Sequence, residues 1–260
     1  MSGYILCQTK KAETPYFIEN ISTNIYSLEE LCYYLYHNLY LVDRSIINEG
    51  LCTWISEELD LPRLAAKLKP HLGKFASAED VLYPIFKEIN YLSYEELRVL
   101  NGKLSRLEME SPLVREKRKG DALMENGMYV NAIKLYQGLL KRDGLEQARE
   151  GLTESIYHNL GCAYSYLFQM EKAVECFQEA YDLGKKDEEL KCYLLAYRSI
   201  NTPIEYTSRL TELSVSEEMK AQIQEALDKF AKKPETPVYS QHVDTMLEGF
   251  TREYHRSTGS

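Results

Sequence analysis

No stretch of this chain approaches the roughly 18 consecutive apolar residues that a membrane-spanning helix needs. Its N-terminus has no basic segment leading into an apolar core and a small-residue cleavage site. The expectation is a cytoplasmic protein without a membrane partner. Paired cysteines are missing too: the six thiols, Cys7, Cys32, Cys52, Cys162, Cys176 and Cys192, form no CxxC and fall mostly on apolar helix faces. They read as buried free thiols, not disulfides or metal ligands. Positive charge is scarce, with 31 Lys and Arg against 40 Asp and Glu and a net charge of -9, which argues against general nucleic-acid or anionic-membrane binding. The motifs GxGxxG, GxxxxGK[ST], HExxH and GxSxG are all absent. The five histidines, His37, His71, His158, His242 and His255, are scattered without metal-ligand spacing. The chain is therefore read as a non-enzyme with no catalytic residue, cofactor or metal.

What the chain does have is helix. Hydrophobic residues make up 44% of the sequence and few of its 13 Gly and 8 Pro interrupt them, so a sizeable core is within reach. The most informative stretch runs from Tyr157 to Ala180. Tyr157, Leu160, Gly161 and Tyr164 recur in steps of three and four and share one face of a helix expected over about Thr153 to Phe168. A second helix, about Met170 to Leu183, carries Ala173, Phe177 and Ala180 on one face. Gly161 leaves that face bare and Ala173 nearly so; small against small lets the two helices touch, with aromatic rings filling the space beside them.

The same offsets occur upstream: Gly120, Leu123, Gly127, Tyr129, Ala132, Tyr136 and Leu139 match Gly161, Tyr164, Phe168, Met170, Ala173, Phe177 and Ala180. Two copies in register resemble the tetratricopeptide repeat family, over about Val114 to Lys186. Glu116 and Lys119 depart from the family's Trp and Leu. The step from Ala132 to Ala173 exceeds the usual period of roughly 34 residues, which places an added turn or a longer second helix in Arg142 to Gly151. The resemblance implies a concave groove lined by first helices: Lys117, Arg118, Asp121, Met124 and Glu125 from one repeat, and His158, Asn159, Cys162 and Tyr166 from the next. It implies a protein partner entering through an acidic or C-terminal segment. Some family members clamp a terminal carboxylate with five Lys, Asn and Arg side chains. Lys117 and Asn159 match two of those positions, but Asp121 replaces an Asn, and Glu189 and Tyr193 stand where cations are needed, so a looser groove is expected.

Before about Ser111 no repeat period shows. Tyr4–Gln8 and Pro15–Glu19 are short β-favouring runs around a polar Lys10–Thr14 turn, giving a small β-hairpin at residues 4–19. Ser27 and Glu30 form a capping box opening a helix with Leu28, Leu31, Cys32, Leu35 and Leu39 in line. Helices are expected over about Val42 to Leu59, interrupted near Gly50, and over Arg63 to Leu72, entered through Pro62. Ser77 and Ser93 open two more, the first kinked or broken near Leu82 by Pro84. Trp54, the only tryptophan, reads as core.

After Lys186 the pattern degrades through Glu188–Ser199, the Thr202-Pro203-x-Glu205 capping box and a helix over Ser214 to Ala231. This reads as a degenerate third repeat with a capping helix. A last helix is expected over Val243 to Tyr254. The fold class is thus all-α, a helical-hairpin repeat array behind a mostly helical N-terminal domain. The domains are residues 1–110, 111–232, and a linker and tail at 233–260. The expected function is a scaffold or adaptor. The alternative is that the repeats are structural and residues 1–110 carry an activity or self-association, which leaves a homo-oligomer open.

Overall fold

In the computed structural model, residues 9–43, 45–72, 78–145, 150–231 and 251–252 are described. Among them the chain forms twelve α-helices and one two-stranded sheet, an all-α fold with a small β-hairpin. Two compact units are present: residues 7–215, and residues 1–6 with 216–260.

The hairpin differs in register from the expectation. Strand β1 (Tyr16–Ile18) pairs antiparallel with β2 (Thr23–Ile25), with Phe17 opposite Asn24. A 3-10 turn at Glu19–Ile21 joins them, and Ser22 takes the left-handed conformation that closes it. The Pro15–Glu19 strand is thus present, but its partner lies downstream in a stretch too polar to read as a strand. The Tyr4–Gln8 run lies outside the described residues. Thr14 accepts a 2.8 Å hydrogen bond from the Trp54 indole at its carbonyl, and the Tyr16 ring lies 5.7 Å from that of Trp54, so the tryptophan ties the hairpin to the helices.

Helix α1 (Leu28–His37) opens at Ser27, whose hydroxyl accepts from the Glu30 amide at 3.2 Å. The Glu30 carboxylate reaches back to the Tyr26 amide instead of the Ser27 amide, so the box is shifted by one residue. Leu28, Leu31, Cys32 and Leu35 are fully buried. Helix α2 (Glu49–Glu57) starts at Asn48, whose side chain accepts from Leu51 N. Gly50 therefore sits in its first turn and does not interrupt a longer helix. Helix α3 (Pro62–Leu68) has proline at its first position and continues into a 3-10 turn at Lys69–His71.

Helix α4 (Ala78–Glu88) runs unbroken through Pro84. Proline removes one donor to the preceding turn, but Val81, Leu82, Ile85 and Phe86 are all buried and pack where α4 meets α1, which outweighs the lost bond. Ser77 itself lies outside the described residues. Helix α5 (Tyr94–Met109) has the full capping box of Ser93 and Glu96.

The next four helices form two hairpins. Helices α6 (Pro112–Glu125) and α7 (Tyr129–Leu140) pair across a three-residue turn, and α8 (Leu152–Tyr166) pairs with α9 (Met170–Gly184) across another. Helix α7 packs on α8, α6 touches α8, and α9 packs on α10 (Asp187–Ile200), which contacts α11 (Pro203–Glu212). The packing at the glycines is small against aromatic, not small against small. A Cβ on Gly161 would lie 2.6 Å from Cε1 of Phe177, and one on Gly120 would run into Cε1 of Tyr136, so each bare helix face receives a ring from the partner helix. Ala132, Ala173 and Ala180 are fully buried behind them, and Leu123, Leu160 and Tyr164 nearly so. Tyr157 is half-buried. The added residues between the hairpins begin as turns at Lys141–Gly144; positions 146–149 lie outside the described residues.

The described part of the second unit is α12 (Glu217–Ala231), opened by Ser216, whose hydroxyl accepts from Met219 N, together with residues 251 and 252. Met219 and Ile223, one turn apart, are buried. The expected linker and most of the expected Val243–Tyr254 helix lie outside the described residues.

Candidate functional site

The first-repeat side chains expected to line a groove stand on α6, and those of the second on α8, two helices that touch. Spacing of four along α6 puts Lys117 beside Asp121, and their charged groups meet at 2.9 Å. The Asp121 carboxylate also accepts 2.7 Å hydrogen bonds from the Tyr136 hydroxyl and the Asn159 amide, and Asn159 lies 3.2 Å from Tyr136 Oη. Burial, reinforced by Asp121, pushes the Tyr136 phenol well above its ordinary range, so it stays a neutral donor. The two side chains that match a carboxylate clamp, Lys117 and Asn159, thus hold a carboxylate of this chain.

Arg118 behaves differently. It lies 4.0 Å from both Glu110 and Asp121, beyond hydrogen-bonding distance, and is 45% exposed. Beside it opens a cavity of about 300 Å³. One wall is α6, with Arg118, Asp121 and Glu125; the others are the end of α1 with the following 3-10 turn, Tyr36 to Tyr40, and α5, with Lys103 and Arg106. Lys103 lies over the Tyr36 ring, 4.6 Å from its centroid. Arg106 makes no ion pair among the described residues.

The turn after α1 is anchored to the first hairpin by two polar contacts and to the end of α5 by a third. Lys119 meets Asp43 at 2.7 Å, Asn126 donates to Asn38 Oδ1 at 2.7 Å, and the Tyr40 hydroxyl donates to Glu110 at 3.0 Å. Burial works to raise the Asp43 carboxyl, but Lys119 and Ser45 together hold it below its ordinary value. Nothing in the repeat pattern pointed to Tyr36–Tyr40, Lys103 or Arg106, because they come from the stretch without a period. Tyr136, expected as packing alone, also carries a polar group of the site.

His158 and Cys162 of α8 form a separate cluster. His158 bonds through Nδ1 to Glu189 of α10 at 2.7 Å, with Cys162 one turn away on α8. A hydrogen bond with Cys162 and the Glu189 carboxylate raise the His158 imidazole to about 9, against the opposing effect of burial. Among the described residues, no group of three or more His, Cys, Asp and Glu side chains is arranged to hold a metal ion. Tyr166 does not join either cluster. Its ring stacks on Tyr129 at 4.5 Å and 4°, leaving it 62% exposed. Met124 is half-buried. No described helix is long and apolar enough to cross a membrane.

Comparison with protein-family profiles, with curated proteins and with solved structures found no match. The site's meaning therefore rests on its own geometry.

Proposed function

We propose that this chain is a non-enzymatic, cytoplasmic scaffold whose two helical hairpins are of the tetratricopeptide kind, and that it binds an acidic segment of another protein in the cavity between α6, α5 and the end of α1. The observation that supports this reading is the division of labour among the cations. Lys117, with Asn159 beside it, is engaged by Asp121, whereas Arg118 stands 4.0 Å from Glu110 and Asp121 without a hydrogen bond to either, and Arg106 and Lys103 on the same open cavity make no ion pair among the described residues. An incoming acidic side chain would meet these three first. The Tyr36, His37 and Tyr40 rings beside them supply the apolar area that a peptide anchor needs.

The internal satisfaction of Asp121 also favours the rival reading, in which the hairpins are structural. One experiment separates the two. The tagged full chain is expressed in its source cell, co-purifying protein is quantified, and the partner's affinity is measured with the purified pair. Arg106→Gln with Arg118→Gln should weaken binding at least tenfold, as loss of about 1.4 kcal/mol or more would. Arg115→Glu with Lys141→Glu, which removes more charge on exposed positions, should not. Undiminished binding by the Arg106/Arg118 variant removes this groove from the function.

A further inference from the structure

The groove described above does not use the thiol at Cys162. Cys162 and His158 are separated by one turn of α8 and so face the same way. The imidazole is anchored from the other side by Glu189 of α10, whose side chain is only 11% exposed and lies 2.7 Å from Nδ1. This is the order of a nucleophile, a proton-holding base and an orienting carboxylate. The arrangement spans two helices, so it does not follow from helical spacing alone. The thiolate is the reactive form of cysteine, and a base one turn away can take the thiol proton as the sulfur attacks.

The other described cysteines lack such a partner. Cys32 and Cys52 are buried. Burial pushes the thiol of Cys176 up to about 11, and that of Cys192 to about 12. Cys176, Cys192 and Cys162 are all half-buried, so exposure alone does not rank them.

We propose that Cys162 is a thiol-modification site for hydroperoxides and carbon electrophiles, with His158 and Glu189 as its positioning residues. With a hydroperoxide, the Cys162 thiolate attacks the distal oxygen. An S–O bond forms as the O–O bond breaks, the sulfur is oxidised by two electrons to the sulfenic acid, and the peroxide is reduced to water or an alcohol. The leaving oxygen takes its proton from the His158 imidazolium. With iodoacetamide the S–C bond forms and iodide leaves.

The test is competitive labelling of the folded full chain with limiting iodoacetamide at pH 7.5, read by mass spectrometry. Trypsin places the three half-buried thiols on separate peptides, residues 150–172, 173–185 and 192–198. Cys162 should label at least about tenfold faster than Cys176 or Cys192, as a base-assisted thiol does against buried ones. Brief hydrogen peroxide should block that labelling, and dithiothreitol should restore it. His158→Gln should remove most of the advantage, and Glu189→Gln part of it, with Cys176 as the internal reference. Equal labelling of the three thiols in the wild-type chain overturns the proposal whether or not the variants fold, and so does an undiminished advantage in a folded His158→Gln. Partner binding is not the readout, so this result and that of the groove experiment are independent.

Discussion

Replacing Gly161 with alanine adds one methyl group at the tightest point of the second hairpin. That methyl would stand 2.6, 2.7 and 2.8 Å from Cε1, Cδ1 and Cζ of Phe177, where carbon atoms prefer about 3.5–4.0 Å. The ring or its helix must therefore retreat by about 1 Å. The ring has little room to do so: Phe177 is 5% exposed and its neighbours Ala173 and Ala180 are fully buried. Overpacking of this kind costs about 1–3 kcal/mol, three ring carbons this close place it at about 2–3 kcal/mol, and alanine's better helix propensity returns up to about 1 kcal/mol. The net expectation is a loss of about 1–2 kcal/mol, or about 3–6 °C in Tm for a unit of this size.

Gly138 supplies the control, because it lies inside α7 with nothing within 4 Å of where its Cβ would be. Gly138→Ala should gain about 0.5–1 kcal/mol from reduced backbone freedom in the unfolded chain. The same chemical change then has opposite signs at two helical positions. Thermal melts of the two variants followed by circular dichroism read the difference. A double-mutant cycle of Gly161→Ala with Phe177→Leu should show a favourable coupling of at least about 0.5 kcal/mol, since the smaller side chain makes room for the methyl. If Gly161→Ala melts at or above the wild-type temperature, or the coupling is zero, ring-on-glycine packing is not what joins α8 to α9.

Asp121→Ala strands the Tyr136 hydroxyl and the Lys117 ammonium, whose side chain is only 15% exposed. It should cost about 2–3 kcal/mol in urea denaturation, with Asp121→Asn costing less because an acceptor for Tyr136 remains. His158 has a folded pKa of about 9 against an ordinary 6.5, so its pairing stabilises fully below pH 6.5 and is lost as pH rises through about 9. The stability difference between wild type and Glu189→Gln should shrink over that interval, and a difference unchanged at pH 10 would refute the pairing. Asp43 has the opposite sign, its folded value lying below the ordinary 3.8. Its contribution is present above that value and disappears as pH falls through the folded one. The difference between wild type and Lys119→Met, measured by melts from pH 6 downward, should therefore vanish in acid.

The residues that were legible from the chain alone are those whose role depends on neighbours three and four positions away. Gly120, Gly161, Ala132 and Ala173 announced two helical hairpins because a missing side chain at a fixed offset has one simple use, and α6 to α9 lie where that spacing put them. Local chemistry was equally readable at Ser93 and Thr202, whose boxes are complete. It failed at Gly50 and Pro84. There the decision belonged to an N-cap two residues upstream and to a buried apolar face, and a breaker residue is only one term against those.

The site was harder to read because its polar groups choose partners across helices. Lys117 and Asn159 had the right spacing to bind a foreign carboxylate, yet spacing does not reveal that Asp121 lies within 3 Å of both. Once that carboxylate is in place, an acidic ligand gains little there, since the attraction of Lys117 is met by repulsion of similar size. The unspent positive charge is then at Arg118, with Arg106 and Lys103 of α5 across the cavity. The strength of binding should accordingly depend more on residues 103 and 106, outside the periodic stretch, than on Lys117 inside it. Lys103→Gln with Arg106→Gln should weaken the partner more than Lys117→Gln, whose main effect should be on melting temperature. The reverse order in a titration would place the ligand back on the α6–α8 seam and make Asp121 a group that moves aside when the ligand arrives.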